Sequence, residues 1–265
     1  MATVVLASHN AHKLEELRRI LGPLIPGIEL VGYDGPEPVE NGLSFEENAL
    51  IKARAAAAHT GLPAIADDSG IAVEVLGGCP GIFSARWGGP ARDDRANVDL
   101  LLWQLTDVAD EHREAGFVCA AALALPPEAD ADAVEAGVDT ADADADAAES
   151  DADGAARDTD TDTDAAIAPR EICELGVWPG RVLREPAGEH GFGYDPIFQP
   201  EDETRSAAEL TSAEKDARSH RTRAFTALAP AIRELVGTEG TGAGEAHTAE
   251  ASAGGASTAE ASTAE

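Results

Sequence analysis

Three stretches of this chain predict an α/β fold. Residues 3–7, Thr-Val-Val-Leu-Ala, form a β-branched apolar run that reads as a central strand, and Leu14, Leu17, Ile20 and Leu21 follow at helical spacing. Residues 64–70, Ala-Ile-Ala-Asp67-Asp68-Ser69-Gly70, read as a short buried strand ending in two carboxylates, a hydroxyl and a glycine. Residues 116–125 are a strongly apolar strand closed by Pro126-Pro127, with 171–178 as the expected partner. In open α/β sheets ligands gather at the carboxyl ends of strands. That draws attention to Asp67 and Asp68, whose side chains point to opposite faces of an extended segment. The pair admits two readings: a hard-cation site of the kind Mg²⁺ makes with phosphate, or an Asx turn closing the strand.

The chain has 265 residues and a formal net charge of −31, from 50 acidic and 19 basic residues. The acidity is uneven. Residues 128–168 hold 15 acids against one base, Arg157, and 238–265 hold five glutamates and no base. Neither stretch has enough large apolar residues to offset the entropy of ordering, so both are expected to be disordered. The expected organisation is therefore one domain over 1–237, interrupted by an acidic low-complexity insertion at 128–168 and followed by an acidic tail at 238–265. The insertion reads as an enlarged hairpin loop between the strands at 116–125 and 171–178. The negative balance argues against non-specific binding to nucleic acid or anionic membrane. No stretch reaches the length of a membrane span. Cys79, Cys119 and Cys173 have no metal-ligand spacing and are odd in number, which suits a reduced, cytoplasmic compartment.

Basic residues are scarce, and the three lysines, Lys13, Lys52 and Lys215, are informative for that reason. Lys13 lies in the loop Ser8-His9-Asn10-Ala11-His12-Lys13 between the first strand and its helix. Free backbone N–H groups and the positive helix end make such a loop a natural phosphate seat. It has no Walker-type glycine run, and it reads equally as an ordinary polar loop. After a strand at 28–31, Ser44 and Glu47 form a capping-box pattern ahead of an Ala-rich helix reaching about residue 59. Asn48 and Lys52 share one face of it. With Glu40 just upstream, that face could border the same cleft as Asp68, or simply be solvated.

Residues 71–75 read as a hairpin partner of the 64–70 strand. Arg86 beside Trp87 is either a clamp or a packed surface arginine. Residues 93–106 read as a helix, and 181–184 as a further strand. Gly191-Phe192-Gly193-Tyr194-Asp195-Pro196 can be a tight turn with packed rings, or a site where a ring stacks on a planar ligand and a carboxylate or backbone group reads its edge. Thr211 to Glu214 repeats the capping-box pattern. Lys215, Ser219, His220 and Arg221 then precede a helix carrying Ala224, Leu228, Ile232 and Leu235.

Taken together, SHNAHK at 8–13, ENGLSFEENALIKA at 40–53, LPAIADDSGIAV at 62–73, PGIFSARW at 80–87, GFGYDPIF at 191–198 and AEKDARSHR at 213–221 carry a resemblance. In this order and spacing the chain resembles the non-canonical purine nucleoside triphosphate pyrophosphatases, the inosine triphosphate pyrophosphatase-like or Ham1-like proteins, from residue 3 to about 236. The resemblance implies an elongated mixed β-sheet flanked by helices, with two lobes, an active-site cleft between them, and a homodimer. The implied reaction is Mg²⁺-dependent hydrolysis of XTP, ITP or dITP to the monophosphate and pyrophosphate. It implies Asp68 as the catalytic carboxylate and a Mg²⁺ ligand, Glu40 as the companion ligand, and Asp67, Asn48 and Arg86 in support. Substrate contacts fall to Ser8, His9, Asn10, Ala11, His12, Lys13, Lys52, Ser69, Phe192, Gly193, Tyr194, Asp195, Lys215, His220 and Arg221, with Gly70 also facing substrate. Trp87 stands where the family has tyrosine. Two alternatives are a Maf-like pyrophosphatase acting on other nucleotides and a nucleotide-binding regulator without turnover.

Overall fold

The computed structural model describes residues 2–9, 11–127 and 171–239. The expected insertion and nearly all of the expected tail fall outside the described residues. Six strands, β1 (Ala2–Leu6), β2 (Ile28–Gly32), β3 (Ala64–Val73), β4 (Glu114–Ala124), β5 (Glu171–Val182) and β6 (Phe198–Pro200), make one sheet among the described residues, in the order β2-β1-β3-β4-β5-β6. β1 pairs in parallel with β2 and β3, and the rest of the sheet is antiparallel. The helices are α1 (Ala11–Leu24), α2 (Phe45–Thr60), α3 (Asp94–Gln104), the short α4 (Ser212–Asp216) and α5 (His220–Glu239). This is the mixed, helix-flanked sheet that the sequence predicts.

The helix stripes explain how each face of the sheet is covered. Leu17, Ile20 and Leu21 of α1 and Phe225, Leu228 and Ile232 of α5 bury against Ile65 and Leu123 on one face. On the other, Ala49, Ala53, Ala56 and Ala57 of α2 meet Ala64, Ala66, Ala120 and Ala122, small residues on both sides that allow close approach. A third cluster fills the far end of the α1/α5 face, with Ile71, Phe117, Trp178 and Phe198 under Val98, Leu101 and Leu105. Each such large side chain contributes about 1.5–3 kcal/mol by burial.

Caps fix the helix starts. Thr211 and Glu214 complete a reciprocal capping box. At α2 the pattern is only half realised. Ser44 Oγ accepts from the Glu47 N–H at 3.2 Å, but the Glu47 carboxylate accepts from the Leu43 N–H at 2.6 Å rather than from Ser44.

Two expectations are corrected. The carboxylates do not end a strand, and 71–75 is not its hairpin partner: β3 runs unbroken through Asp67–Gly70, with Gly70 opposite Val118. Gly70 is there for close approach, not for a turn. A Cβ on it would collide with Ser84 Oγ and lie 2.6 Å from the Gly81 carbonyl. Likewise 181–184 is no separate strand, because Arg181 and Val182 finish β5.

β1 reaches β3 only at Val5–Ala64 and Leu6–Ile65. From Asp67 to Ile71 β3 is paired with β4 alone among the described residues, before Ala72 bridges Pro80, so the two aspartates sit where the parallel arm has left the sheet. α5 is brought over that point by Gly176 of β5. A Cβ there would collide with the His220 carbonyl and the Ala224 amide and lie 3.0 Å from Ala224 Cα. Gly176→Ala is therefore expected to push the first turn of α5 off the sheet and lower stability by about 1–3 kcal/mol, measured by urea unfolding. A midpoint equal to that of the unsubstituted protein would refute this account of the packing.

Candidate active site

Pleat alternation sends Asp67 and Asp68 to different helices. Asp67 points to the α1/α5 face, where it is buried. Its carboxylate accepts from Lys13 Nζ at 3.0 and 3.1 Å, from Arg221 Nε at 3.2 Å and from Ser69 Oγ at 3.0 Å. Burial by itself would raise the Asp67 carboxyl, but Lys13, Arg221 and Lys52 outweigh it and hold it well below its ordinary 3.8. Arg221 also reaches Glu16 Oε2 at 3.5 Å.

Asp68 points to the α2 face. Its Oδ1 accepts from Lys52 Nζ at 3.0 Å, and its Oδ2 is 3.5 Å from the Asn48 amide nitrogen. Glu40 Oε1 is 3.1 Å from the same Lys52 ammonium. Asn48 in turn accepts from the Gly42 N–H at 2.9 Å, which fixes the segment carrying Glu40. Burial, opposed by Lys52 but reinforced by Glu40 and Asp67, raises the Asp68 carboxyl above 3.8. Lys52, which burial alone would push down, is raised by Asp68, Asp67 and Glu40. The adjacent carboxylates thus have opposed electrostatic environments, one a fixed anion and the other a poised one.

Glu40 and Asp68 converge on one positive point, and both are hard oxygen donors. Among the described residues no group of three or more His, Cys, Asp or Glu side chains forms a cage. Mg²⁺ is commonly held by one or two carboxylates and completed by substrate phosphates, so this donor pair fits it.

Two cavities flank the pair. One, of about 140 Å³, is lined by Ser69, Phe192, Tyr194, Asp195, Lys215, His220 and Arg221 among others. Phe192 is half exposed there, with Lys215 Nζ 5.1 Å and the Arg221 guanidinium 5.4 Å from its ring centroid. Asp195 sets this loop: it accepts from the Phe192 N–H at 2.9 Å and pairs with Lys215. The Gly193 N–H donates to Asp94 at 3.0 Å, and the buried Tyr194 hydroxyl donates to the Ser84 carbonyl at 2.9 Å. His220 stacks on Phe117 at 4.9 Å, and its Nδ1 is buried without a hydrogen-bond partner. Burial, with Arg221 and Lys215 adding to it, holds His220 neutral.

The second cavity, about 440 Å³, is lined by Ser8, His9, Tyr33, Glu37, Glu40, Lys52, Arg86 and Arg92 among others. His9 bridges Glu37 at 2.8 Å and the Gly35 carbonyl at 3.0 Å. Ala11 and His12 begin α1, and Asn10 lies outside the described residues. Lys13 turns to Asp67 rather than into this cavity's wall. Glu16, Ser84, Asp94, Phe117 and Arg92 join the two sites without being named from sequence. Glu16 had a usable signal, three residues after Lys13 on the same helix face.

The family model described as Ham1 family matches residues 4–141 and 147–231. The chain belongs to the Ham1 family. Ham1-family relatives described as dITP/XTP pyrophosphatase include one from Leifsonia xyli subsp. xyli, 47% identical over 235 residues and covering 89% of this chain and 98% of its own. Another, from Streptomyces coelicolor, is 48% identical over 241 residues, covering 89% and 100%. Among solved structures, a HAM1 protein from Coxiella burnetii superposes with a TM-score of 0.67 at 35% identity, covering 88% of this chain and 100% of its own. A nucleoside-triphosphatase / dITP/XTP pyrophosphatase from Mycobacterium abscessus gives 0.59 at 43% identity, covering 86% and 99%.

The Asp67 network makes a pH-dependent contribution with a definite sign. A carboxyl held below its unfolded value stabilises the fold above that value, and the stabilisation is lost as pH falls through 3.8 and toward the folded value. Asp67→Asn leaves Lys13 and Arg221 facing a neutral amide. It is expected to cost about 3–5 kcal/mol at pH 7 and to flatten the fall in thermal midpoint below about pH 4. Unfolding scans at several pH values check this, and an unchanged acid slope would contradict it.

Proposed function

We propose that this Ham1-family chain is a nucleoside triphosphate pyrophosphatase that hydrolyses non-canonical purine nucleoside triphosphates, XTP, ITP and dITP, to the monophosphate and pyrophosphate, clearing them from the nucleotide pool. The observation that carries the reading is the poised Asp68–Lys52–Glu40 group between a ring-walled cavity and a wider polar one. The names of its relatives, dITP/XTP pyrophosphatase, support dITP and XTP among these substrates.

In this reading the purine stacks on Phe192, between Lys215 and Arg221. The 6-keto oxygen takes a hydrogen bond from this donor-rich wall. Adenine would present an amino group to donors and leave a buried group unpaired, which disfavours ATP. Ser8, His9 and Lys52, in the wall of the wider cavity, receive the triphosphate. Asp68 orients a water against the phosphorus and takes its proton as the bond between the α and β phosphates breaks, and pyrophosphate departs. Asp68 is placed for this by Lys52 at 3.0 Å and Asn48 at 3.5 Å, which fix its two carboxylate oxygens. Glu40 and Asp68 would hold Mg²⁺, which supplies Lewis-acid charge to the phosphate oxygens.

The cleft lies between two lobes, one built on the parallel β1–β2 arm and one on the antiparallel strands. The chain acts as a homodimer, an assignment supported by the apolar strip of Leu175 and Val177, both about half exposed on the sheet face that α2 leaves uncovered. Among the described residues no helix is long and apolar enough to cross a membrane, and Cys79, Cys119 and Cys173 are free thiols, which supports a cytoplasmic enzyme.

The purified chain with Mg²⁺ is expected to release pyrophosphate from XTP, ITP and dITP much faster than from ATP or GTP. A substrate panel assayed for both products decides this, and comparable rates on ATP would sink the assignment. Asp68→Asn should lower kcat by about 10²–10⁴-fold while retaining the fold by circular dichroism.

A further inference from the structure

Arg86 and Arg92 differ from the other arginines of the described residues. Each of the others donates to a carboxylate, carbonyl or amide oxygen within the fold. Among the described residues the side chains of Arg86 and Arg92 have no hydrogen bond or ion pair; the Arg86 guanidinium lies 5.1 Å from the Phe83 ring centroid. Both line the 440 Å³ cavity with Ser8, Glu40 and Lys52. The two acids in that wall are already engaged, Glu37 by His9 at 2.8 Å and Glu40 by Lys52 at 3.1 Å. The arginines are therefore available to an anionic ligand.

Their placement is specific. Arg92 adopts a left-handed φ of 50°, a costly conformation outside glycine that tends to persist where function needs it. Its N–H donates to the Gly89 carbonyl at 3.2 Å, and the next residue, Asp93, accepts from the Ala96 N–H at 2.7 Å and caps α3. Arg86 ends the 81–86 turn, which Ser84 and Gly70 clamp onto β3.

The cavities share no lining residue. Ser69 lines the ring-walled cavity, and its neighbour Asp68 holds Lys52 in the wall of the other. A nucleoside triphosphate with its base at Phe192 and its reacting phosphorus at Asp68 has the 440 Å³ cavity, lined by Glu40 and Lys52, next to that phosphorus for its distal phosphates. We infer that Arg86 and Arg92 bind the β and γ phosphates there and hold the leaving pyrophosphate, an assignment that rests on the pyrophosphatase reading. The guanidinium fork matches phosphate oxygens, and such contacts stabilise the charge that grows on the leaving group.

The test uses the full chain and inorganic pyrophosphate as probe. Arg86→Ala and Arg92→Ala should each weaken pyrophosphate binding in calorimetry by about 10- to 100-fold, and lower kcat/KM for XTP comparably. Xanthosine monophosphate affinity should change less than about twofold. Arg86→Lys and Arg92→Lys, which keep the charge but lose the fork, should fall between. Unchanged pyrophosphate affinity in either alanine variant removes that residue from the site, and in both overturns the proposal. Equal loss of monophosphate affinity also overturns it, because it would mean general damage to the cleft. Failure of the unsubstituted protein to hydrolyse XTP, with pyrophosphate binding still dependent on both arginines, would sink the enzymatic reading and leave the anion site standing.

Discussion

Two adjacent ionised carboxylates in the middle of a sheet strand constrain everything around them. An unpaired carboxylate in a protein interior costs several kcal/mol, and pleating prevents Asp67 and Asp68 from contacting the same hydrogen-bonded cation. Each face must supply its own. Lys13 at the start of α1 and Arg221 at the start of α5 neutralise Asp67, and Lys52 in the middle of α2 neutralises Asp68. Three helices distant in sequence are thereby tied to two consecutive residues. The apolar stripes hold the helices on the sheet, and the charges fix which turn of each helix meets β3.

The open edge of β3 follows from the topology. β1 must leave the sheet after Leu6 for α1 to begin at Ala11, while β3 runs on to Val73. The departure exposes β3 just where its side chains change from Ala66 to Asp67. Alanines on both sides keep α2 close, which lets Asn48 and Lys52 reach Asp68 directly. On the opposite face the two apolar clusters stop on either side of Asp67 and Ser69, leaving a polar gap between them. The site occupies the place where neither parallel pairing nor apolar packing continues.

Much of this was legible in the residues, and what was not has a physical cause. Period-3.6 stripes marked α1 and α5, apolar runs marked β1 and β4, and the split of Asp67 from Asp68 followed from strand alternation alone. The Asn48–Lys52 face was readable from i, i+4 spacing, and it borders Asp68 as that spacing allowed. The end of β3 was misread because glycine after polar residues normally signals a turn. Here Gly70 stays extended, and its missing side chain makes room for Ser84, a partner 14 residues away that no local rule announces. For the same reason local pattern left Arg86 as either a clamp or a surface residue, the family resemblance gave it only a supporting place, and neither singled out Arg92. Whether an arginine is paired depends on carboxylates brought near by the fold, and local pattern does not carry that.

The charge balance at the reacting centre decides how much help the site needs. Glu40, Asp68 and Lys52 together carry a net negative charge, in a chain whose formal charge is already −31. Such a group repels a triphosphate more than it attracts one. Lys13 and Arg221 do not correct this, because Asp67 and Glu16 already draw on their charge. A divalent cation held by Glu40 and Asp68 would reverse the local sign, and such an ion is often the largest charge in a phosphate site. It would act at the reacting phosphate, so the distal phosphates still need cations of their own. Lys52 is shared between two carboxylates, which leaves the cavity beyond it dependent on side chains that the fold has not otherwise engaged. Arg86 and Arg92 meet that requirement by position and by lack of internal partners.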